Sequence, residues 1–514
     1  MKKTVLNIIL LLACSFSLSA QIQLAESNTE IFENVRKSLN SEANYNLIGF
    51  DGYDYYLLLG NKTLCKLNAA VTTAETFDLP ARLDSEVVLS FGDEENMGLI
   101  CFKKTEYDLI FSKLTLDKIA NDFVREQIIA LPIEEDDKLQ LNVGESNYKS
   151  AQVVFVTLIS AEKEYKMSHV LVFGTKGELL WQTEIMPRFE HPNFTFNDIA
   201  VNADGTEIYL LGKSYDFDGK FASNTVLQLL TIDQSGITDH ISEKCPFAEI
   251  RSLKFKLLNN NNLFVAGFYR NGVENETDGG SFSAVLDRQR NSFELNHKLF
   301  KESLTRGTKM ATAFMPDFTK KIAEIYELSD TNIVVLGEDR QTKMMTKTAD
   351  NAFYTSYSFS AGNIFAEFYA PDGTLKKTTV IYKNQTGSTA DFKRVALVVA
   401  EQVINDFRHL PISFSVIQSY DKLLLIFNDN AKNSVNQNVA RRETLNISKL
   451  KTDVATVLCS IEGTTLSRRK MLLINTQKTE RVFSDVIYTG ERKALILTQL
   501  MKGKGNFTFE KLNY

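Results

Sequence analysis

The chain reads as an all-β protein, a β-propeller of about eight four-stranded antiparallel blades. Three observations lead there. Short apolar runs recur along the chain at spacings of roughly 40–90 residues, the signature of a repeat architecture. Each run follows a more alternating strand across a short polar turn, and most are followed by a second hairpin. Phenylalanine (35) and tyrosine (18) are plentiful, whereas proline (8) and tryptophan (1) are scarce. Aromatic side chains pack well on a pleated surface.

The amino terminus comes first. Lys2 and Lys3 precede a mostly apolar stretch over 4–18, with small residues at Ser19 and Ala20. This is the layout of a secretory signal peptide over 1–20. It is short for a membrane span, which needs about 20 apolar residues. No later segment reaches that length. The mature chain, 21–514, is therefore expected as a single exported propeller, periplasmic or extracellular. Lipidation at Cys14 is the less favoured alternative, because Leu12 fits a lipoprotein signal poorly.

The eight recurrent runs are YYLLLG (55–60), MGLICF (97–102), QVVFVTLI (152–159), EIYLLG (207–212), NLFVAGF (262–268), NIVVLGE (332–338), KLLLIFND (422–429) and KALILTQL (493–500). Their near-continuous apolar character predicts strands covered on both faces. Their preceding partners begin with YNLIGF (45–50) and end with DVIYTG (485–490). The connecting turns carry Asp, Asn, Gly and Ser, as in NADGT (202–206), and such residues tolerate positive φ. Second hairpins follow, with Gly177, Gly236, Gly373 and Gly463 at their turns. Two hairpins in succession give a four-stranded meander.

The last unit is incomplete, because one strand follows KALILTQL before the chain ends. An unclosed ring leaves a bare sheet edge. The segment 21–27 is expected to supply the missing strand by pairing the two termini. Seven blades are the alternative count. Helix is minor, with candidates at 391–407 and Glu30–Leu39.

Long loops are expected at 212–225, 269–282, 339–362, 383–411 and 429–445, with a further connection at 301–320. In a four-stranded blade these second-to-third and blade-to-blade connections open on one face. A loop-decorated face over a channel reads as a binding surface. Its candidate residues are Tyr215, Asp216, Asp218, Tyr269, Arg270, Arg340, Tyr354 and Tyr357, with Phe217, Arg441 and Arg442 beside them. Aromatics with arginine are typical of recognition surfaces. The same residues also suit packing of loops onto the ring.

The search for catalytic chemistry yields little. DFDG (216–219) opens like a calcium loop, but Thr225 stands where the closing acid belongs, so a polar turn is the better reading. The histidines (169, 191, 240, 297, 409) are not at metal-ligand spacing. There is no GxSxG and no phosphate-cradling glycine loop. Trp181 in GTKGELLWQTE looks like one tryptophan-docking repeat of the quinoprotein propellers, which repeat the Trp in most blades. No cofactor or metal is expected. The four remaining cysteines read as buried hydrophobes, with a Cys65–Cys101 disulfide as the alternative. The formal charge of −6 argues against a nucleic-acid partner.

The stretch from Asn332 to about Asn433 resembles an uncharacterised family of secreted bacterial propeller proteins. The parts are Gly337–Glu338, the aromatic-rich NAFYTSY (351–357), Asp372–Gly373, the Lys383-x-Gln385 element and IFND (426–429). Thr378 stands near where that family often has Trp. The resemblance implies an exported propeller and no particular activity. The function expected is non-catalytic binding or scaffolding by a monomer, toward a protein, a glycan or an envelope component. The alternative is a carbohydrate-active hydrolase or lyase with acids at the channel mouth.

Overall fold

The computed structural model describes residues 23–24 and most of 45–513. The stretches 187–194, 271–278, 300–318, 389–412, 436–442, 447–453, 475–480 and 501–505 lie outside it, with several turns of five residues or fewer. Both helix candidates fall outside the described residues.

The protein is a β-propeller of four-stranded antiparallel blades. Among the described residues the strands form eight hydrogen-bonded sheets. Seven are blades whose core strands follow one another along the chain. Blade 1 begins at Tyr45, blade 2 at Glu86, blade 3 at Lys138 and blade 4 at Thr195. Blades 5, 6 and 7 begin at Glu249, Thr319 and Phe414. The eighth sheet is a composite of both chain ends. Arg481–Gly490, Lys493–Leu500 and Asn506–Asn513 pair in order, and Gln23–Leu24 is added at the outer edge, opposite Asn513 and Leu512. The expectation of eight like units is thus corrected to seven complete blades, the alternative number, and one seam sheet.

The second strands are the apolar runs, and their burial explains the pattern. Ala151–Ile159 is buried at every position but the last, and Lys422–Asn430 at every position but the first. The outer strands alternate or lie exposed, as in Ala74–Asp78. First strands of neighbouring blades approach one another, so they are innermost. In blades 1, 2, 4, 5, 6 and the seam this strand carries a register shift, for example between Phe196 and Asp198 and between Ile322 and Glu324. A bulge increases local twist, which suits strands crowded around an axis.

An apolar cluster fills each junction between consecutive sheets. One joins Leu336 and Phe368 of blade 6 to Leu425 and Val457 of blade 7. Another closes the ring, packing Leu495 of the seam against Leu57 and Leu59 of blade 1. Burial of each such side chain stabilises by about 1.5–3 kcal/mol.

Turns also dock on the adjacent blade. The Trp181 indole N–H of blade 3 donates to the Gly205 carbonyl of blade 4 at 2.5 Å. Gly205 has φ +73°, and a Cβ there would stand 2.9 Å from Leu180, so the turn needs glycine. Ser283 of blade 5 donates to the Gly373 carbonyl of blade 6 at 2.6 Å. The four described cysteines are buried and form no disulfide with one another. Cys65 and Cys101 belong to different apolar clusters, which corrects the disulfide alternative.

Deleting residues 21–27 should remove the seam's outer strand and bare the edge of Asn506–Asn513. We expect a thermal midpoint lower by about 2–6 °C and concentration-dependent self-association in sedimentation velocity. A deleted form that melts and sediments like the full mature chain would show that the terminal strand contributes no closure.

Candidate functional site

Two of the expected long loops are extended hairpins. In blade 4, strands Ile208–Asp218 and Phe221–Asp233 stay paired out to Asp218–Phe221. In blade 6, strands Ile333–Ala349 and Ala352–Tyr369 stay paired out to Ala349–Ala352. Loops at 212–225 and 339–362 are therefore corrected to β-ribbons on one face of the ring. In blade 6 a register shift between Glu338 and Arg340 marks where the blade ends and the ribbon begins. Ten residues per strand beyond that point span about 33 Å.

Gln385–Ser388 pairs antiparallel with Ser358–Ala361 of the ribbon, and Leu445–Asn446 adds in parallel. Parts of 383–411 and 429–445 are thus strands that widen the ribbon's base. A short helix, Lys432–Val435, precedes the second of these. Most of 269–282 is strand or lies outside the described residues.

A buried polar network holds this base together. Glu338, Lys383 and Gln385 are fully buried. The Lys383 ammonium pairs with Glu338 and also donates to Gln385 Oε1 at 3.0 Å. Arg340 Nε bonds the same Glu338 carboxylate at 2.7 Å, and its other nitrogen bonds Ser413 Oγ at 2.9 Å. Ser413 Oγ in turn donates to Glu338 at 2.7 Å. Gln385 Oε1 accepts the Ser413 N–H at 2.7 Å, and its Nε2 donates to the Asn428 carbonyl at 2.6 Å. Burial raises the proton affinity of Glu338, but Lys383 and Arg340 outweigh it and hold the carboxyl below its ordinary value.

The network continues into blade 7. Asp429 pairs with Arg469 at 2.5 Å and accepts from Asn433 Nδ2 at 2.8 Å. Arg469 also reaches the Tyr382 carbonyl and lies over the Phe427 ring. Asn433 closes a two-way pair with the Glu443 backbone. Beside it, Asp339 pairs with Lys320 at 2.9 Å, and that ammonium lies over Phe365. The separate elements Gly337–Glu338, Lys383-x-Gln385 and Asn428–Asp429 therefore converge on one cluster at the ribbon's root.

The predicted residues are distributed unevenly. Arg340 belongs to the network. Tyr269 is buried and stacked on Phe247 at 3.9 Å, so it fills the blade 4–5 junction rather than facing outward. Arg270 ends the second strand of blade 5, between Glu249 and Gly279 in register. Tyr215 is half-buried, with the Lys213 ammonium 5.6 Å from its ring. Its phenol is pushed up to about 12, chiefly by burial and then by Glu249. Asp216, Asp218, Tyr354 and Tyr357 occupy paired positions on the two ribbons, opposite Asn224, Phe221, Lys347 and Met344. Their side chains, and that of Phe217, lie outside the described residues, as do Arg441 and Arg442. The backbone through DFDG is extended up to Asp218 and does not form a calcium loop. Among the described residues no cluster of three His, Cys, Asp or Glu could hold a metal.

Toward the axis, Asp198, Lys254 and Glu324 stand on the first strands of blades 4, 5 and 6. Lys254 pairs with Glu324 at 3.0 Å, and Asp198 accepts the Phe255 N–H at 3.3 Å. Burial lifts the Asp198 carboxyl to about 6; Glu324 adds to the rise and Lys254 opposes it.

No family model matches the chain, and no curated protein matches it. Among solved structures it is similar to the β-propeller domain of the trilobed protease from Pyrococcus furiosus, at 9% identity over 83% of this chain and 93% of that one, with a TM-score of 0.33. It is similar to BamB from Moraxella catarrhalis at 7% identity over 92% and 99%, with a TM-score of 0.35. A polysaccharide lyase, the PL25 ulvan lyase, gives 8% identity over 83% and 93%, with a TM-score of 0.38. These likenesses carry no functional argument, and the propeller rests on the sheet topology.

Two measurements follow. Replacing Lys383 with Met leaves Glu338 buried with a weaker counter-charge, and should destabilise by about 3–5 kcal/mol. Adding Glu338→Leu should recover much of that loss in a double-mutant cycle followed by urea denaturation. Additive losses would mean the two side chains are not coupled. Asp198 is protonated more readily folded than unfolded, so its stabilising contribution is complete below pH 4 and lost as pH rises through about 6. Asp198→Asn should therefore raise stability at pH 7.5 by on the order of 1–2 kcal/mol, after allowance for partial exposure. It should flatten the stability profile between pH 4 and 6.

Proposed function

We propose that the protein is an exported, non-catalytic binding or scaffolding propeller. It would recognise a protein, glycan or envelope component through the face that carries the blade 4 and blade 6 ribbons. The observation that carries this reading is the long blade 6 ribbon rooted in a dense buried network. A projection fixed at its base keeps little conformational freedom to lose on binding, which favours recognition. Export is supported by the leader-like first 20 residues. Among the described residues no helix is long and apolar enough to cross a membrane.

Carbohydrate cleavage is the competing reading. Glycosidases need one acid positioned to donate and another to attack or activate water. The inner-strand acids support the binding reading better. Glu324 is tied to Lys254, and Asp198 to the blade 5 backbone, so both serve the joints between blades.

The test replaces 344–357 with an Asn-Gly turn, leaving Glu338, Arg340 and the pairing of Ser358–Ala361 with Gln385–Ser388 in place. The tagged mature chain and this ribbonless form are then used as baits on their native envelope. We expect an unchanged fold by circular dichroism and loss of any partner that the intact chain retains above an unrelated propeller. Equal recovery by both baits would place recognition elsewhere. Turnover of a glycan panel by the intact chain would overturn the non-catalytic reading.

A further inference from the structure

Lys321 is a cation without a counter-charge, set where the central channel opens on the ribbon face. It stands on Thr319–Glu327, the innermost strand of blade 6, opposite Glu338 in register and so level with the ribbon's root. The side chain is half-buried, yet its ammonium keeps a path to solvent. Among the described residues no carboxylate lies within ion-pair distance of it. The nearest acids are already committed. Glu338 is bound by Lys383, Arg340 and Ser413, and Asp339 by Lys320. The buried Glu367 acts on Lys320 and not on Lys321. The ion pairs at this root therefore leave positive charge in excess.

Blade 5 brings a second cation to the same level. Ser252 Oγ accepts the Ile322 N–H at 2.9 Å, and Lys254 pairs with Glu324 at 3.0 Å. These two contacts set the innermost strands of blades 5 and 6 side by side and parallel, so Arg251 comes level with Lys321. A register shift between Ile250 and Ser252 leaves Arg251 outside the pairing with the second strand. Arg251 is exposed, and an exposed side chain at this end of an innermost strand opens on the channel mouth. It pairs with Glu249 at 3.0 Å, and both side chains stay 39% exposed. That pair is worth little in solvent, so Arg251 remains able to serve another acceptor.

This charge balance selects a chemical class. Burial, and then the Arg340 guanidinium beside it, push the Lys321 ammonium below its ordinary proton affinity. A half-buried cation next to another cation loses hydration and gains no attraction. A neutral ligand would leave that repulsion in place, and a cation would add to it. An oxyanion supplies the missing charge, and its oxygens accept from an ammonium and a guanidinium together. We propose that the channel mouth binds an oxyanion between Lys321 and Arg251, either a free ion or the acidic group of a larger ligand. For the larger ligand this rests on the ribbon face being the recognition surface, and it names the charge that such a ligand carries.

The test is calorimetric titration of the mature chain with millimolar sulfate and phosphate, ionic strength being held by chloride. At least one ion should bind saturably and raise the thermal midpoint. Trigalacturonate separates the two sources, since binding tighter than either ion identifies the acidic group of a larger ligand. Lys321→Gln should weaken binding about tenfold. Without added anion its midpoint should equal or exceed that of the parent, because an uncompensated charge has gone. Lys62→Gln makes the same charge change at an exposed position of blade 1 and should leave affinity unaltered. The form with 344–357 replaced keeps Lys321, Arg340 and Arg251 and should bind the ions as the parent does, so loss of a partner there leaves this site standing. Absence of saturable binding by both ions, equal weakening by Lys62→Gln, or a lowered midpoint of anion-free Lys321→Gln would overturn the proposal.

Discussion

The physical constraint on which this molecule depends is that each sheet must be covered on both faces by its neighbours. A four-stranded sheet with a continuous apolar second strand cannot stand alone in water. Val153, Val154, Phe155 and Val156 are consecutive and all buried. Alternation sends Val154 and Val156 into the cluster shared with blade 2, and Val153 and Phe155 into the one shared with blade 4. The same logic runs around the ring and makes closure obligatory. Leu495 supplies it from the C-terminal side by packing on blade 1, while Gln23–Leu24 completes the seam as a strand. Ring cohesion therefore does not rest on any single junction being large, but on none being left open.

That constraint also explains what could be read from the residues. Burial on both faces writes an uninterrupted apolar run, so all eight second strands were legible, and Lys422–Asn430 was expected within one residue of its observed bounds. The positive-φ glycines at 177, 236, 373 and 463 marked hairpin turns correctly, because few other residues tolerate that backbone. The ribbons were not legible. Stretches such as QTKMMTKTA in Gln341–Ala349 lack the core-facing alternation that distinguishes a strand from a loop. The seam was legible only in part, since joining distant chain ends leaves no local signal beyond a strand deficit.

The site was less legible than the fold, for a different reason. Glu338 and Lys383 are 45 residues apart, and their pairing depends on how blade 6 hands the chain to blade 7. The family resemblance picked out both as separate elements without indicating that they meet. Tyr269 shows the opposite difficulty. A tyrosine at the end of a blade strand looks available for recognition, yet here it stacks on Phe247 and becomes core. An aromatic ring buries large apolar area while carrying one polar atom, so its composition signal is the same in a junction and on an interface.

The polar root of the blade 6 ribbon has a physical logic that an apolar core would not provide. Apolar side chains pack with little directional preference, so a greasy base would hold the ribbon without fixing its register or heading. The Glu338 carboxylate instead receives three donors from separate chain segments: Lys383, Arg340 and Ser413. Ser413 adopts φ +87°, a conformation that costs on the order of 1–3 kcal/mol in a non-glycine residue. That cost is offset by its backbone bond to Gln385 and its hydroxyl bonds to Glu338 and Arg340. Directional bonds satisfied from several sides permit one arrangement and penalise its neighbours, because any slip leaves a buried charge unmet. Blade packing thus gives the ring its cohesion, and the buried polar cluster gives the projecting ribbon its orientation.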